Sequence, residues 1–128
     1  MFNPLSFLTL AKKLNSTGSV DPRDEATLRT IIGRVYYATH LYVREKLRRH
    51  FPSQLTDSRL KKEKISEHRK VEDLLTIKNL YFIAEKHYEL FGLRVKADYK
   101  LHDPIGSSDV DKSFELAENI IQLTNEYL

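Results

Sequence analysis

The sequence predicts an all-α fold, an antiparallel bundle of four or five helices in a single domain spanning residues 1–128. Three observations predict it. Apolar residues recur at helical spacing along two long segments, prolines and glycines fall at segment boundaries, and no segment alternates apolar and polar residues between turn signals as a strand would. Amphipathic helices without a sheet can bury their faces only against one another.

Each element follows from local chemistry. Asn3 caps a first helix over 4–14, with Pro4 at its first position, where the missing N–H costs nothing. Asn15-Ser16-Thr17-Gly18-Ser19 is a loop. Asp21-Pro22 opens a second helix by the same logic. It runs to about residue 49 and stops before Phe51-Pro52, because the residue preceding proline disfavours helical backbone. Leu28, Ile31, Ile32, Val35, Tyr36, Ala38, Tyr42, Val43 and Leu47 make its apolar face. Residues 52–64 are polar, basic and aperiodic, which predicts a mobile loop. Ser66 caps a third helix to about residue 78, and a fourth follows over about 79–97 or continues it. Pro104-Ile105-Gly106-Ser107 breaks the chain. Ser108 or Asp109 then caps a last helix to Tyr127, whose apolar face is Val110, Phe114, Ala117, Ile120, Ile121, Leu123 and Tyr127.

Composition bounds the function classes. A length of 128 residues suits one core. The absence of cysteine excludes disulfides, thiolate metal sites and cysteine nucleophiles, and fits a reducing compartment. No apolar run approaches the roughly 20 residues of a membrane span. The start Met1-Phe2-Asn3-Pro4 lacks the basic region of a signal peptide, so a cytoplasmic protein without membrane contact is expected. The five histidines are dispersed, no pair has the spacing of a helical metal site, and no glycine-rich phosphate loop or serine elbow occurs. Neither metal nor cofactor is expected.

The net charge of +3 is unevenly spread. Arg44 to Lys70 is crowded with cations, Lys61, Lys62 and Lys64 among them, while the chain beyond Asp103 is acidic. A basic stretch attracts phosphate polymers or an acidic partner. The competing reading is a solvated segment that maintains solubility.

Two groups of polar residues break the helical patterns. On the fourth helix, Leu80, Ile83, Ala84, Leu90 and Phe91 define the inward arc, and His87, Arg94 and Asp98 fall inside it. Arg94 and Asp98, four apart, can pair on one face. The pair either fixes helix packing or lines a cleft where Arg94 holds phosphate. On the second helix, Tyr37, His40 and Arg44 share a stripe on the polar side with Gly33, which would admit a close backbone. The stripe is either a packing or dimer surface or a place for proton transfer beside a bound phosphate. His68 is expected to be an exposed early-helix residue.

The segment Gly33-Arg34-Val35-Tyr36-Tyr37-Ala38-Thr39-His40 resembles the HEPN superfamily of prokaryotic helical domains, many of which carry an Arg-x-Tyr-Tyr-Ala core. Glu67-His68-Arg69-Lys70-Val71 is similar to a Thr-His-Lys-Gly-Val element of one branch. Leu93-Arg94-Val95-Lys96-Ala97-Asp98-Tyr99 is similar to a Leu-Arg-x-x-Ala-Asp-Tyr element. The three come in the expected order and cover most of the chain.

The resemblance implies an antiparallel bundle that often forms homodimers. It also implies a toxin–antitoxin, phage-defence or CRISPR-linked setting, in which many members are ribonucleases. Others bind nucleotides, RNA or proteins, and some pair with a minimal nucleotidyltransferase. The active branch carries Arg, four to six residues, then His, in a late helix. Here Arg34 to His40 and Arg44 to His50 have that spacing but lie on the second helix, and Arg94 to His102 is one residue too long. Binding of RNA, nucleotide or a partner protein is therefore the expected function, through Tyr37, His40, Arg44, Asp98, Tyr99, Lys61, Lys62 and Lys64. The alternatives are a metal-independent endoribonuclease using Arg94 and His102 at a dimer cleft, and a structural partner of a minimal nucleotidyltransferase.

Overall fold

A computed structural model describes residues 2–16, 24–55 and 66–128, with the Leu55 side chain excepted. Among these residues the chain is helical without a strand: α1 (Leu5–Ser16), α2 (Glu25–His50), α3 (Pro52–Leu55), α4 (Glu67–Ile77), α5 (Tyr81–Tyr99) and α6 (Ser107–Tyr127). The bundle is organised on α2, whose 26 residues span about 39 Å at 1.5 Å per residue. It packs against α1, α5 and α6, and α4 is held mainly by α5.

The termini of the helices follow their side chains. Asn3 Oδ1 accepts the Leu5 N–H at 3.0 Å, as the sequence predicts. The cap of α2 is Asp24, whose carboxylate accepts the Ala26 N–H at 3.1 Å and the Thr27 hydroxyl at 2.7 Å. The Thr27 hydroxyl bond first, helped by the backbone bonds and opposed by slight desolvation, holds its carboxyl below the usual carboxylate range. The expected opening at Asp21-Pro22 lies outside the described residues. The third and fourth helices are separate. Asn79 takes a left-handed φ of 62° and the Leu80 N–H returns to the Leu75 carbonyl at 2.8 Å, a helix-terminating arrangement in which asparagine is tolerated. The cap of the last helix is Gly106, two residues before Ser108 and three before Asp109. Asp109 serves from inside the first turn by accepting the Gly106 N–H at 3.0 Å. Pro52–Leu55 forms one helical turn where a loop is expected, because proline suits the first turn of a helix as well as a break. The remainder of that basic segment lies outside the described residues.

Most of the predicted apolar positions form the core; on α6, however, Tyr127 is 58% exposed, and Leu116, which the predicted face omits, is buried. Leu28, Ile31, Ile32, Val35, Tyr36, Ala38, Val43 and Leu47 of α2 meet Val110, Ala117 and Ile120 of α6 and Ile83, Ala84 and Leu90 of α5 in one buried cluster. Burial of each large side chain there contributes roughly 1.5–3 kcal/mol. Tyr42 lies at the margin with its hydroxyl bonded to Asn125.

The C-terminus of α5 is anchored to α2 by one side chain. Arg29 donates to the carbonyls of Lys96 at 2.9 Å, Ala97 at 2.8 Å and Asp103 at 2.6 Å, and pairs with Glu25 at 2.8 Å. A guanidinium at this end meets the unpaired carbonyls of the last turn and the negative pole of the helix. This anchor sets the position of the α5 residues that form the site.

Candidate functional site

Three helices bring polar groups to one place. From α2 come Tyr36, Tyr37, His40 and Arg44, from α4 come His68 and Glu72, and from α5 come His87, Phe91, Arg94, Asp98 and Tyr99. The arrangement has an inner part and a surface part, with Tyr36 between them.

The inner part is a line of three hydrogen-bonded side chains, two buried histidines and the half-buried Glu72. Glu72 Oε1 lies 2.8 Å from His87 Nδ1, and His87 Nε2 lies 3.0 Å from His40 Nδ1. His87 is fully buried and His40 is 5% exposed. A carboxylate only accepts, so His87 carries hydrogen on Nδ1. With His87 neutral, its Nε2 accepts from His40 Nδ1–H, which leaves the lone pair of His40 on Nε2. No buried side-chain nitrogen or oxygen among the described residues lacks a partner, so His40 Nε2, which bonds to none of them, is the ring atom that meets solvent.

The environment of His40 disfavours its charged form. Burial, then the nearby His87, Arg44, His68 and Arg94, push its pKa down to about 3. Its ring stacks on Tyr36 with centroids 5.5 Å apart, and burial raises the Tyr36 hydroxyl well above its ordinary range. His68 stacks on Phe91 at 3.7 Å and bonds through Nε2 to Ser66 Oγ at 3.1 Å. Burial lowers its pKa.

The surface part surrounds Arg94. Its guanidinium carbon lies 5.4, 5.2 and 5.9 Å from the ring centres of Tyr36, Tyr37 and Tyr99. It pairs with Asp98 at 3.1 Å, with side chains 17% and 35% exposed. Tyr37 and Tyr99 are 41% and 67% exposed, so two tyrosine faces flank a cation that solutes can reach.

The candidate residues divide accordingly. Arg94, Asp98, Tyr99 and Tyr37 come together, and the Arg94–Asp98 pair sits at the surface instead of deep within the bundle. His40 is buried, which corrects its placement on a polar stripe: the stripe tilts so that His40 points toward α5 while Tyr37 and Arg44 stay accessible. His68 is half-buried, not exposed, because Phe91 covers its ring. Gly33 is not a point of close approach, since a Cβ there would find Asp98 Oδ1 at an ordinary 3.7 Å. Arg34 faces away over Phe7 at 5.6 Å, apart from His40. His102 is exposed in the turn after α5, and no hydrogen bond, ion pair or ring contact among the described residues joins it to Arg94. Lys61, Lys62 and Lys64 lie outside the described residues. No three His, Asp or Glu side chains gather to hold a metal ion among those described.

Glu72 is the site residue the sequence does not disclose. His87 does carry a signal, because a histidine on an inward arc requires partners. The sequence does not say that these come from α4 and α2, at separations of 15 and 47 residues. The chain matches no protein-family model, no curated protein and no solved structure.

Proposed function

We propose that this chain is a HEPN-like module of a prokaryotic toxin–antitoxin or defence-type system that binds RNA or nucleotide. The observation that supports the reading most is the Arg94 guanidinium set among Tyr36, Tyr37 and Tyr99, with two of the rings exposed. Bases stack on accessible aromatic faces at about 1–3 kcal/mol each, and a cation between them suits the phosphate. The residues that carry the resemblance, Tyr36-Tyr37, His68 and Arg94 to Tyr99, are contributed by three helices to this one region. Fluorescence anisotropy with labelled single-stranded RNA tests the reading. Arg94→Ala and Tyr99→Ala should each weaken binding at least fivefold, and wild-type binding should decline steeply with salt. No binding by wild type, or binding indifferent to both substitutions, would refute it.

One observation favours a second reading, a metal-independent ribonuclease. His40 Nε2 presents a lone pair backed by His87 and Glu72, the arrangement of a general base that would take the proton of a ribose 2′-hydroxyl. His40 then replaces His102 as the candidate base. Incubation with total RNA in EDTA should give cleavage that His40→Gln abolishes, and intact RNA would reject this reading.

A further inference from the structure

The relay runs from the His40 ring, whose Nε2 meets solvent, through the fully buried His87 to the half-buried Glu72 carboxylate. The charged and titratable groups around His40 are Tyr36 and Arg44 of its own helix, His68 and Glu72 of α4, and His87 and Arg94 of α5. Four of these six are cationic or can become so. A positive charge on the His40 ring is opposed first by burial and then by these cations, and its pKa of about 3 expresses both. A positive charge on the His87 ring would instead lie 2.8 Å from the Glu72 carboxylate.

The hydrogen-bond geometry connects the two sites. A solvent proton that arrives at His40 Nε2 forms an N–H bond there. The His40 Nδ1–H proton then crosses the 3.0 Å contact to His87 Nε2. One N–H bond is broken and two are made, for one proton taken from solvent. His40 ends neutral, with hydrogen on Nε2 in place of Nδ1, and the charge resides on His87 against Glu72. The surface atom has changed from an acceptor to a donor without a charge remaining on His40.

We propose that the mouth of this relay, formed by His40, Arg44 and Arg94, is a phosphodiester seat for single-stranded RNA whose occupation takes up one proton, held on His87 beside Glu72. The inference deepens the RNA-binding reading and rests on it. In the unprotonated relay, His40 Nε2 presents a lone pair to the phosphate oxygen, and two acceptors repel. In the protonated relay it donates a hydrogen bond. Arg44 can turn to the same anion, because its carboxylate partner Glu67 is 3.9 Å away and 60% exposed. Glu72 and His87 are positioning residues: they decide which way the His40 proton points and do not touch the RNA.

The anion prefers the protonated relay, protonation is lost as pH rises, and affinity falls with it, by about tenfold per pH unit for one linked proton. Isothermal titration of the full chain with hexauridylate, whose phosphodiesters and bases do not titrate near neutrality, measures this. Titrations in buffers of different ionisation enthalpy, from about pH 5.5 to about pH 8.5, count the protons taken up. Wild type should take up close to one proton per strand on the high-pH side of the relay's titration. His40→Gln keeps an N–H donor and should bind with no uptake and a flat pH profile. Glu72→Gln removes the counter-charge and should move the uptake to lower pH, and His68→Gln should leave it unchanged. Circular dichroism verifies folding of each variant, and Glu72→Gln serves alone if His40→Gln does not fold. Wild-type binding without proton uptake, uptake that survives in His40→Gln, or uptake unmoved by Glu72→Gln would overturn the inference and leave the RNA-binding reading standing. Absence of binding at every pH would overturn both.

Discussion

Replacement of Arg29 by alanine should destabilise the protein by about 3 kcal/mol, well above the usual effect of a polar substitution. The figure comes from its partners. Three short bonds, to Lys96, Ala97 and Asp103 carbonyls, are each worth about 1 kcal/mol net, because the side chain is only 14% exposed. The Glu25 carboxylate is 47% exposed, so solvent screening reduces that ion pair to about 0.5 kcal/mol. Couplings among bonds that share one guanidinium make the sum an upper value. For a chain of 128 residues the loss corresponds to a fall in Tm of about 10 °C. Arg29→Lys should recover less than half of it, since a point charge cannot reach carbonyls on both sides of the helix end. Urea denaturation monitored by circular dichroism reads the difference. A loss under about 1 kcal/mol for Arg29→Ala would show that the cap does not hold the end of α5, and the anchoring of Arg94 and Tyr99 would need another cause.

Three further outcomes are expected. Gly33→Ala should raise stability by about 0.5–1 kcal/mol in a thermal melt, since a mid-helix glycine is replaced where the nearest atom stands at 3.7 Å; a loss would mean that α2 and α5 approach more closely. His40 should make the protein acid-sensitive. Its folded pKa of about 3 lies below its unfolded value, so stability is whole above the unfolded value near 6.5 and is lost as pH falls toward 3, by about 2 kcal/mol at about pH 5. The His40→Gln variant should show a shallower slope in denaturation measured across that interval, and an equal slope would reject the assignment. Asp98→Asn should raise RNA affinity by about threefold or more in anisotropy titrations, because it removes the carboxylate paired with Arg94, with less than about 1 kcal/mol of stability lost. Unchanged or weaker binding would take Arg94 out of the phosphate seat.

What the sequence disclosed and what it withheld have separate physical causes. The faces of α2 and α6 are legible because apolar periodicity is a property of one helix, and a residue such as Ile31 or Ile120 declares its burial through neighbours three and four positions away. The caps at Asn3 and Ser66 are partly legible. Asn3 bonds the helix N–H as its type predicts, whereas Ser66 Oγ is drawn to His68 Nε2, because an imidazole close by competes with the backbone for the hydroxyl. The cap of α6 shifts to Gly106 for a related reason: Asp109 is as effective at the third helical position as at the cap.

The relay is of another kind. Helix α5 shows almost no amphipathic contrast, because His87 and Arg94 occupy its inward arc, and that conflict is visible in the sequence. Its resolution is not, since it depends on how α4 and α2 are rotated against α5. A rotation of α2 by one residue, 100° on the helix, would carry His40 away from His87 and bring a different side chain to the contact. The three polar side chains are thus satisfied only in one register of three helices. With either His40 or Glu72 removed, His87 is left buried with a ring nitrogen unpaired, at roughly 1–3 kcal/mol. The same bonds that fix the register also set the direction of the His40 proton. Selection for a packing device alone would be met equally by apolar residues of similar volume, which pack without a desolvation cost. A relay whose outer nitrogen reaches solvent beside Arg44 and Arg94 has a use that such residues could not provide, which is why the proton count on binding RNA is the measurement that separates the two roles.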